Sequence, residues 1–268
     1  MKFSMTCGCN RPHTIFKAKS DGPLIDRDRP AIRKLRLKLR VTVKKFLKSK
    51  APGIIDQVLA AKDRLTKDDK DIIDAILAEL KLDDWTVLSG DVQDIIEQVL
   101  ADSGAQALAQ IGVSDAEITS LVNDKAVTYA AERAAELVTK ISESTREMLR
   151  ADVTEAMQDG WSNDTLAEAL SDNYGFSADR ADMIARTETA YADVAGNLDA
   201  YRVSGVVTDK KWITGEGCCE LCDELNGVTI PIEDNFDFYG EEMDGPPGHP
   251  NCRCDVVPIL DTESAPGE

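Results

Sequence analysis

The chain has 268 residues, enough for one large domain or two modest ones, and 43% of them are hydrophobic, which excludes a disordered polyampholyte. Aromatic residues are only 5%, and Ala, Leu, Ile, Asp and Glu dominate, a balance that favours helices over a β-sandwich. The net charge of −18 is split: residues 1–50 carry 15 Lys/Arg against 3 Asp/Glu, and the rest carry 16 against 46, so a basic arm suited to an anion precedes an acidic body unsuited to coating DNA.

Residues 1–25 show no period and read as an irregular arm. Cys7, Cys9 and His13 there are three candidate ligands without a fourth partner. From Pro30 to Lys50 apolar residues recur at Ile32, Leu35, Leu39, Val43, Phe46 and Leu47, which predicts an amphipathic helix with Pro30 in its first turn. Pro52 and Gly53 are expected to end it. Its basic residues Arg33, Lys34, Arg36, Lys38, Arg40, Lys44 and Lys45 are candidates for contact with DNA or an acidic partner; the competing reading is a solvated helix face.

Residues 51–122 read as short acidic helices. Thr66 caps one through Ile72, Ile73, Ile76, Leu77 and Leu80, Asp91 opens another, and Gly104 is expected just past its end. Ser114 and Glu117 have capping-box spacing, with Val113 and Ile118 as the apolar staple. A long helix over 124–159 is expected to bury Val127, Ala130, Ala134, Leu137, Ile141, Met148, Val153 and Met157, with Gly160 closing it. Ser162 caps a short helix, and Ser177 caps one running to about Val203, where Gly205 stops it.

After Gly205 the texture changes. Thr208–Thr214 and Cys254–Leu260 read as strands, Asn226-Gly227 as a hairpin turn, and the acidic, Gly/Pro-rich 233–248 as a loop. The fold expected is mainly α with a small C-terminal β-hairpin, metal-stapled module, an α+β chain. Its parts are 1–50 (arm and helix), 51–122, 123–205, 206–260 (the module) and a polar tail, 261–268.

The module carries Cys218-Cys219-Glu220-Leu221-Cys222 and His249-Pro250-Asn251-Cys252-Arg253-Cys254. A C-x-x-C turn aims two thiolates at one cation, and a second pair alongside completes a tetrahedron, as in structural zinc sites. Cys219, Cys222, His249, Cys252 and Cys254 are five candidates for four places. No apolar signal segment precedes Cys7, so a reducing compartment is expected, where clustered thiols mean metal before disulfides. The segment has few large apolar residues, and a structural zinc ion offsets that deficit. Disulfides or packed free thiols are the alternative.

Cys219-Glu220-Leu221-Cys222-Asp223-Glu224-Leu225-Asn226-Gly227, followed by Gly248 to Cys254 and Pro258, resembles the C-terminal signature of the phage Mu F-like head morphogenesis family, which includes SPP1-type minor head proteins. Ile184-Ala185-Arg186-Thr187-Glu188, Asn197 and Trp212-Ile213-Thr214 agree, as does Gly160-Trp161-Ser162 through Leu170, so the resemblance covers roughly 136–258. It implies a minor capsid component at the portal vertex, acting in head assembly, genome packaging or delivery. It also implies portal and capsid partners, residence in the virion head after assembly in the host cytoplasm, and no required enzymatic activity. Asp182 and Arg186 have i,i+4 spacing, and Arg186 or Glu188 is expected to fix the docking of the metal module.

Two other functions compete. A metal-dependent nuclease would use the Cys/His site beside Asp223, Glu224 and Asp255, yet the chain has only His13 and His249 and no phosphate-binding G-x-x-x-x-G-K-[ST]. A zinc-ribbon-like adaptor unrelated to phage is the other, with acidic surroundings that disfavour nucleic acid as its target.

Overall fold

Helix α1 (Pro30–Arg64) starts at Pro30 as expected but does not stop at Pro52-Gly53. A proline inside a helix loses a hydrogen bond and crowds the preceding turn, at about 3 kcal/mol. The helix survives because its apolar stripe keeps phase across the proline. Leu39, Val43 and Leu47 before it and Ile54, Val58 and Ala61 after it are all buried. Each buried Leu, Ile or Val contributes about 1.5–3 kcal/mol, so the stripe outweighs the break.

The computed structural model describes residues 29–64, 72–114, 116–215 and 218–260. The expected features at Cys7, Cys9, His13 and Thr66 lie outside the described residues, as does the Glu117 side chain of the capping box. Helix α2 (Ile72–Ala78) buries Ile72, Ile76 and Leu77. Helix α3 (Val87–Gln110) begins before Asp91 and runs through Gly104. That glycine is a crossing point and not a helix end: a Cβ there would meet Val122 Cγ1 at 2.4 Å and the Gly196 carbonyl oxygen at 3.3 Å.

Helix α4 (Ala116–Asp159) is the expected long helix, extended at its start. Of the expected stripe Val127 is 47% exposed and Met148 and Met157 are only half-buried; Val122, Ala126, Leu149 and Ala156 take buried positions instead. Gly160 follows with φ 66°. The Ser162 hydroxyl caps α5 (Asn163–Asp172), accepting from the Thr165 N–H at 3.1 Å. The Ser177 hydroxyl accepts from the Arg180 N–H at 3.0 Å where α6 (Ala178–Ser204) begins.

Strand β1 (Val207–Ile213) is the centre of a three-stranded antiparallel sheet, between β2 (Thr229–Pro231) and β5 (Asp255–Leu260). A one-turn helix, α7 (Glu220–Asp223), lies between β1 and β2. Asn226-Gly227 therefore closes the cysteine excursion and not a two-residue hairpin: Gly227 N–H donates to the Trp212 carbonyl at 2.8 Å, and Trp212 N–H to the Val228 carbonyl at 2.9 Å. The hairpin lies inside the expected loop, between β3 (Phe236–Phe238) and β4 (Glu241–Met243). Tyr239 and Gly240 turn it with φ 56° and 85°, and the Asp237 carboxylate accepts the Gly240 N–H at 2.7 Å.

The chain divides into two compact units. Described residues of one are drawn from 29–37, 94–130 and 185–260. Its core joins Leu108, Val122, Val194, Leu198 and Tyr201 to Trp212, Phe236, Phe238 and Val256 of the module. The other unit comprises 38–93 and 131–184. There Phe46 meets Trp85 edge-on at 5.3 Å. Arg180, 1% exposed, donates to the Ile141 and Gly175 carbonyls and to Thr145 and Ser144. No described helix is long and apolar enough to cross a membrane.

Candidate metal centre

Two tight turns build the site. Cys219 stands at the N-cap of α7, and Cys222, 1% exposed, lies within that single helical turn. In the second turn the Cys252 N–H donates to the His249 carbonyl at 3.1 Å, with Asn251 at φ 61°. Residues 219/222 and 249/252 thus present matching i,i+3 pairs.

The pairs meet. His249 Nε2 lies 3.1 Å from Cys219 Sγ and 3.2 Å from Cys222 Sγ, and Cys222 Sγ lies 3.7 Å from Cys252 Sγ. Two triads, Cys219/Cys222/His249 and Cys222/Cys252/Cys254, each gather their donor atoms within 4.8 Å, and such groups could hold a metal ion. Tetrahedral zinc with bonds of about 2.3 Å to sulfur and 2.0 Å to nitrogen needs S–S edges of about 3.8 Å and S–N edges of about 3.5 Å. The sulfur edge fits, and the nitrogen edges need to open by a few tenths of an ångström. The His249 Nδ1 lies 2.9 Å from the Pro250 carbonyl. With Nδ1 donating, Nε2 is the nitrogen left for a cation.

The protonation pattern suits a cation site. Hydrogen bonds from Cys222 and Cys254 hold Cys252 far below the ordinary thiol range. The same contacts, with Cys252 foremost, push Cys222 far above it. Hydrogen bonding to Cys252 raises His249 to about 9 against the opposing effect of burial. A metal entering this set of thiols and imidazole displaces protons.

Cys254 precedes β5 and is 1% exposed, in the core cluster that also holds Cys222, Cys252, Trp212 and Val256. Its thiol interacts with Cys222, Cys252 and Trp212. Trp212 lies between Phe236 at 5.3 Å, edge-on, and Phe238 at 6.2 Å, stacked.

Helix α6 meets the second turn through Thr187, whose hydroxyl accepts the Asn251 N–H at 3.0 Å. Its neighbours Arg186 and Glu188 are both engaged, Glu188 buried at 5% exposure. A second anchor holds the segment before that turn. Arg202 of α6 donates to both Asp244 oxygens at 2.9 and 2.5 Å and to the Ile232 carbonyl at 3.2 Å, and fully buried Lys210 also pairs with Asp244. Burial works against the Asp244 charge, but Arg202 and Lys210 outweigh it and hold the carboxyl below its ordinary range. Sequence reasoning missed this trio. The available signal was strand alternation: Lys210 and Trp212 share the inward face of β1, and an inward lysine demands an acid.

Of the basic candidates on α1, Arg33, Lys34, Lys38 and Lys45 are exposed, while Arg36, Arg40 and Lys44 are half-buried. Arg40 pairs with Asp182 at 3.4 Å.

Residues 147–257 match the family described as Phage Mu protein F like protein. The match takes in the last 13 residues of α4, all of α5 and α6, and the module into β5; residues 1–146 lie outside it. No curated protein and no solved structure matches the chain.

Proposed function

With residues 147–257 belonging to the phage Mu protein F-like family, we propose that this chain is a minor head protein of a tailed phage or prophage. In this reading it joins the portal vertex and capsid components and acts in head assembly and genome packaging or delivery. The observation that carries the reading is the family match, whose span includes every residue of the Cys/His cluster. The test is detection of the chain in purified heads, with particle counts from hosts lacking its gene. Heads that contain the chain, and fall in number or in DNA content without it, support the role. Absence of the chain from purified heads contradicts it.

Within that role the cluster is a structural zinc site. Cys219, Cys222, His249 and Cys252 are the ligands, and Cys254 packs behind them against Trp212. Three distances of 3.1, 3.2 and 3.7 Å support the set, because they link four donors from two matching turns. A zinc ion supplies a cross-link between those turns. Thr187 seats the second turn on α6, with Arg186 and Glu188 flanking it on the same helix. The site fixes a small module in place and performs no reaction. The basic residues of α1 offer a contact for packaged DNA or for an acidic portal surface.

A further inference from the structure

We infer that the C-terminal module docks onto α1 of a second copy of this chain, an inference that goes beyond the head role and does not need it. Residues 30–50 hold nine Lys/Arg and no Asp/Glu, whereas residues 212–252 hold ten Asp/Glu and no Lys/Arg. On α1 the exposed Lys38, Val41, Lys45 and Lys48 recur at spacings of three and four, so they share one face about 15 Å long. Val41 is 63% exposed at its middle. Among the described residues none of these three lysines forms an ion pair. On the module, Leu221 stands out from the cysteine turn at 46% exposure and Tyr239 from the hairpin tip at 57%. Phe238, next to the tip, packs in the same core cluster as Cys219 and Cys222 of the turn, so the tip and the turn adjoin. Exposed Glu220, Asp223, Glu241 and Glu242 lie on the same turn and hairpin.

Each surface has an apolar element among charges of one sign, and the signs are opposite. Nucleic acid would satisfy the lysines but would leave Val41 without an apolar partner and the acidic face unmatched. A second copy answers all three. The two patches differ, so each contact pairs unlike surfaces, and the assembly closes reciprocally as a twofold dimer or continues into rings or chains.

Sedimentation velocity on the full-length, zinc-loaded protein tests this at low and high ionic strength. The expected result is concentration-dependent oligomers at low salt that dissociate as salt rises. Lys38→Glu/Lys45→Glu/Lys48→Glu weakens association at least about tenfold, because like charges then face each other. Glu220→Lys/Glu241→Lys/Glu242→Lys does the same, and mixing the two variants restores a complex. The lysine variant leaves the module untouched, so a disturbed metal site cannot account for its result. A monomer at every concentration in low salt overturns the inference. So does lysine reversal that abolishes nucleic-acid binding while leaving self-association unchanged.

Discussion

Replacing Gly196 by Ala puts a methyl group where α6 crosses α3. The added Cβ would sit 2.5 Å from the Leu100 carbonyl oxygen and 3.1 Å from Leu100 Cα. Comfortable carbon contacts lie at about 3.5–4.0 Å, so the helices must part by about 1 Å. The neighbouring buried residues Val99, Leu100, Val194 and Leu198 would lose part of their packing. Overpacking of this kind costs about 1–3 kcal/mol, against about 1 kcal/mol gained from helix propensity. The expected net loss is up to about 2 kcal/mol, a fall in Tm of up to about 8 °C for a chain of this size. Gly90→Ala in α3 is the control: it meets nothing within 4 Å and should stabilise by up to about 1 kcal/mol. Thermal and urea unfolding followed by circular dichroism read both variants. If Gly196→Ala stabilises as much as Gly90→Ala, the close crossing of α6 and α3 is wrong.

Thr187→Val removes the acceptor of the Asn251 N–H and should cost about 1 kcal/mol. It should also speed zinc loss to a chelator, while Thr187→Ser retains the metal; equal rates for Val and Ser would contradict the seating role. Asp244→Asn leaves Lys210 buried without its charged partner. A fully buried pair would lose about 3–5 kcal/mol, and because Asp244 is partly solvated the expected loss is about 1–3 kcal/mol by urea titration. The Asp244 pKa is depressed in the folded state, so its stabilisation is present above the ordinary carboxylate pKa of about 4 and is lost as pH falls through the lower folded value. The acid limb of a stability-versus-pH curve should therefore be shallower in Asp244→Asn; an unchanged limb would rule the trio out as a source of acid sensitivity.

Sequence patterning located what depends on local signals. The serines before α5 and α6, the glycines after α4 and α6, and the strands at both ends of the module all stand where capping and alternation put them. Four of the five candidate ligands fall in i,i+3 pairs of Cys and His, a spacing that carries its own geometry. Features set by tertiary packing were not legible. Pro52 remains helical because the buried stripe stays in phase on both sides of it. Gly104 reads as a helix end in one dimension and as a crossing point in three. Tyr239-Gly240 gave a weak turn signal, since a tyrosine at positive φ is uncommon. The contact between α6 and the second metal turn falls on Thr187, where charge had directed attention to Arg186 and Glu188.

The central claim is a metal-stapled module, and elemental analysis of protein purified under reducing conditions addresses it directly. The account predicts one zinc per chain in the wild type and in Cys254→Ser, and loss of that zinc in Cys252→Ser. Wild-type protein with far less than one metal per chain, or a Cys254→Ser variant that loses metal while Cys252→Ser keeps it, would contradict the account.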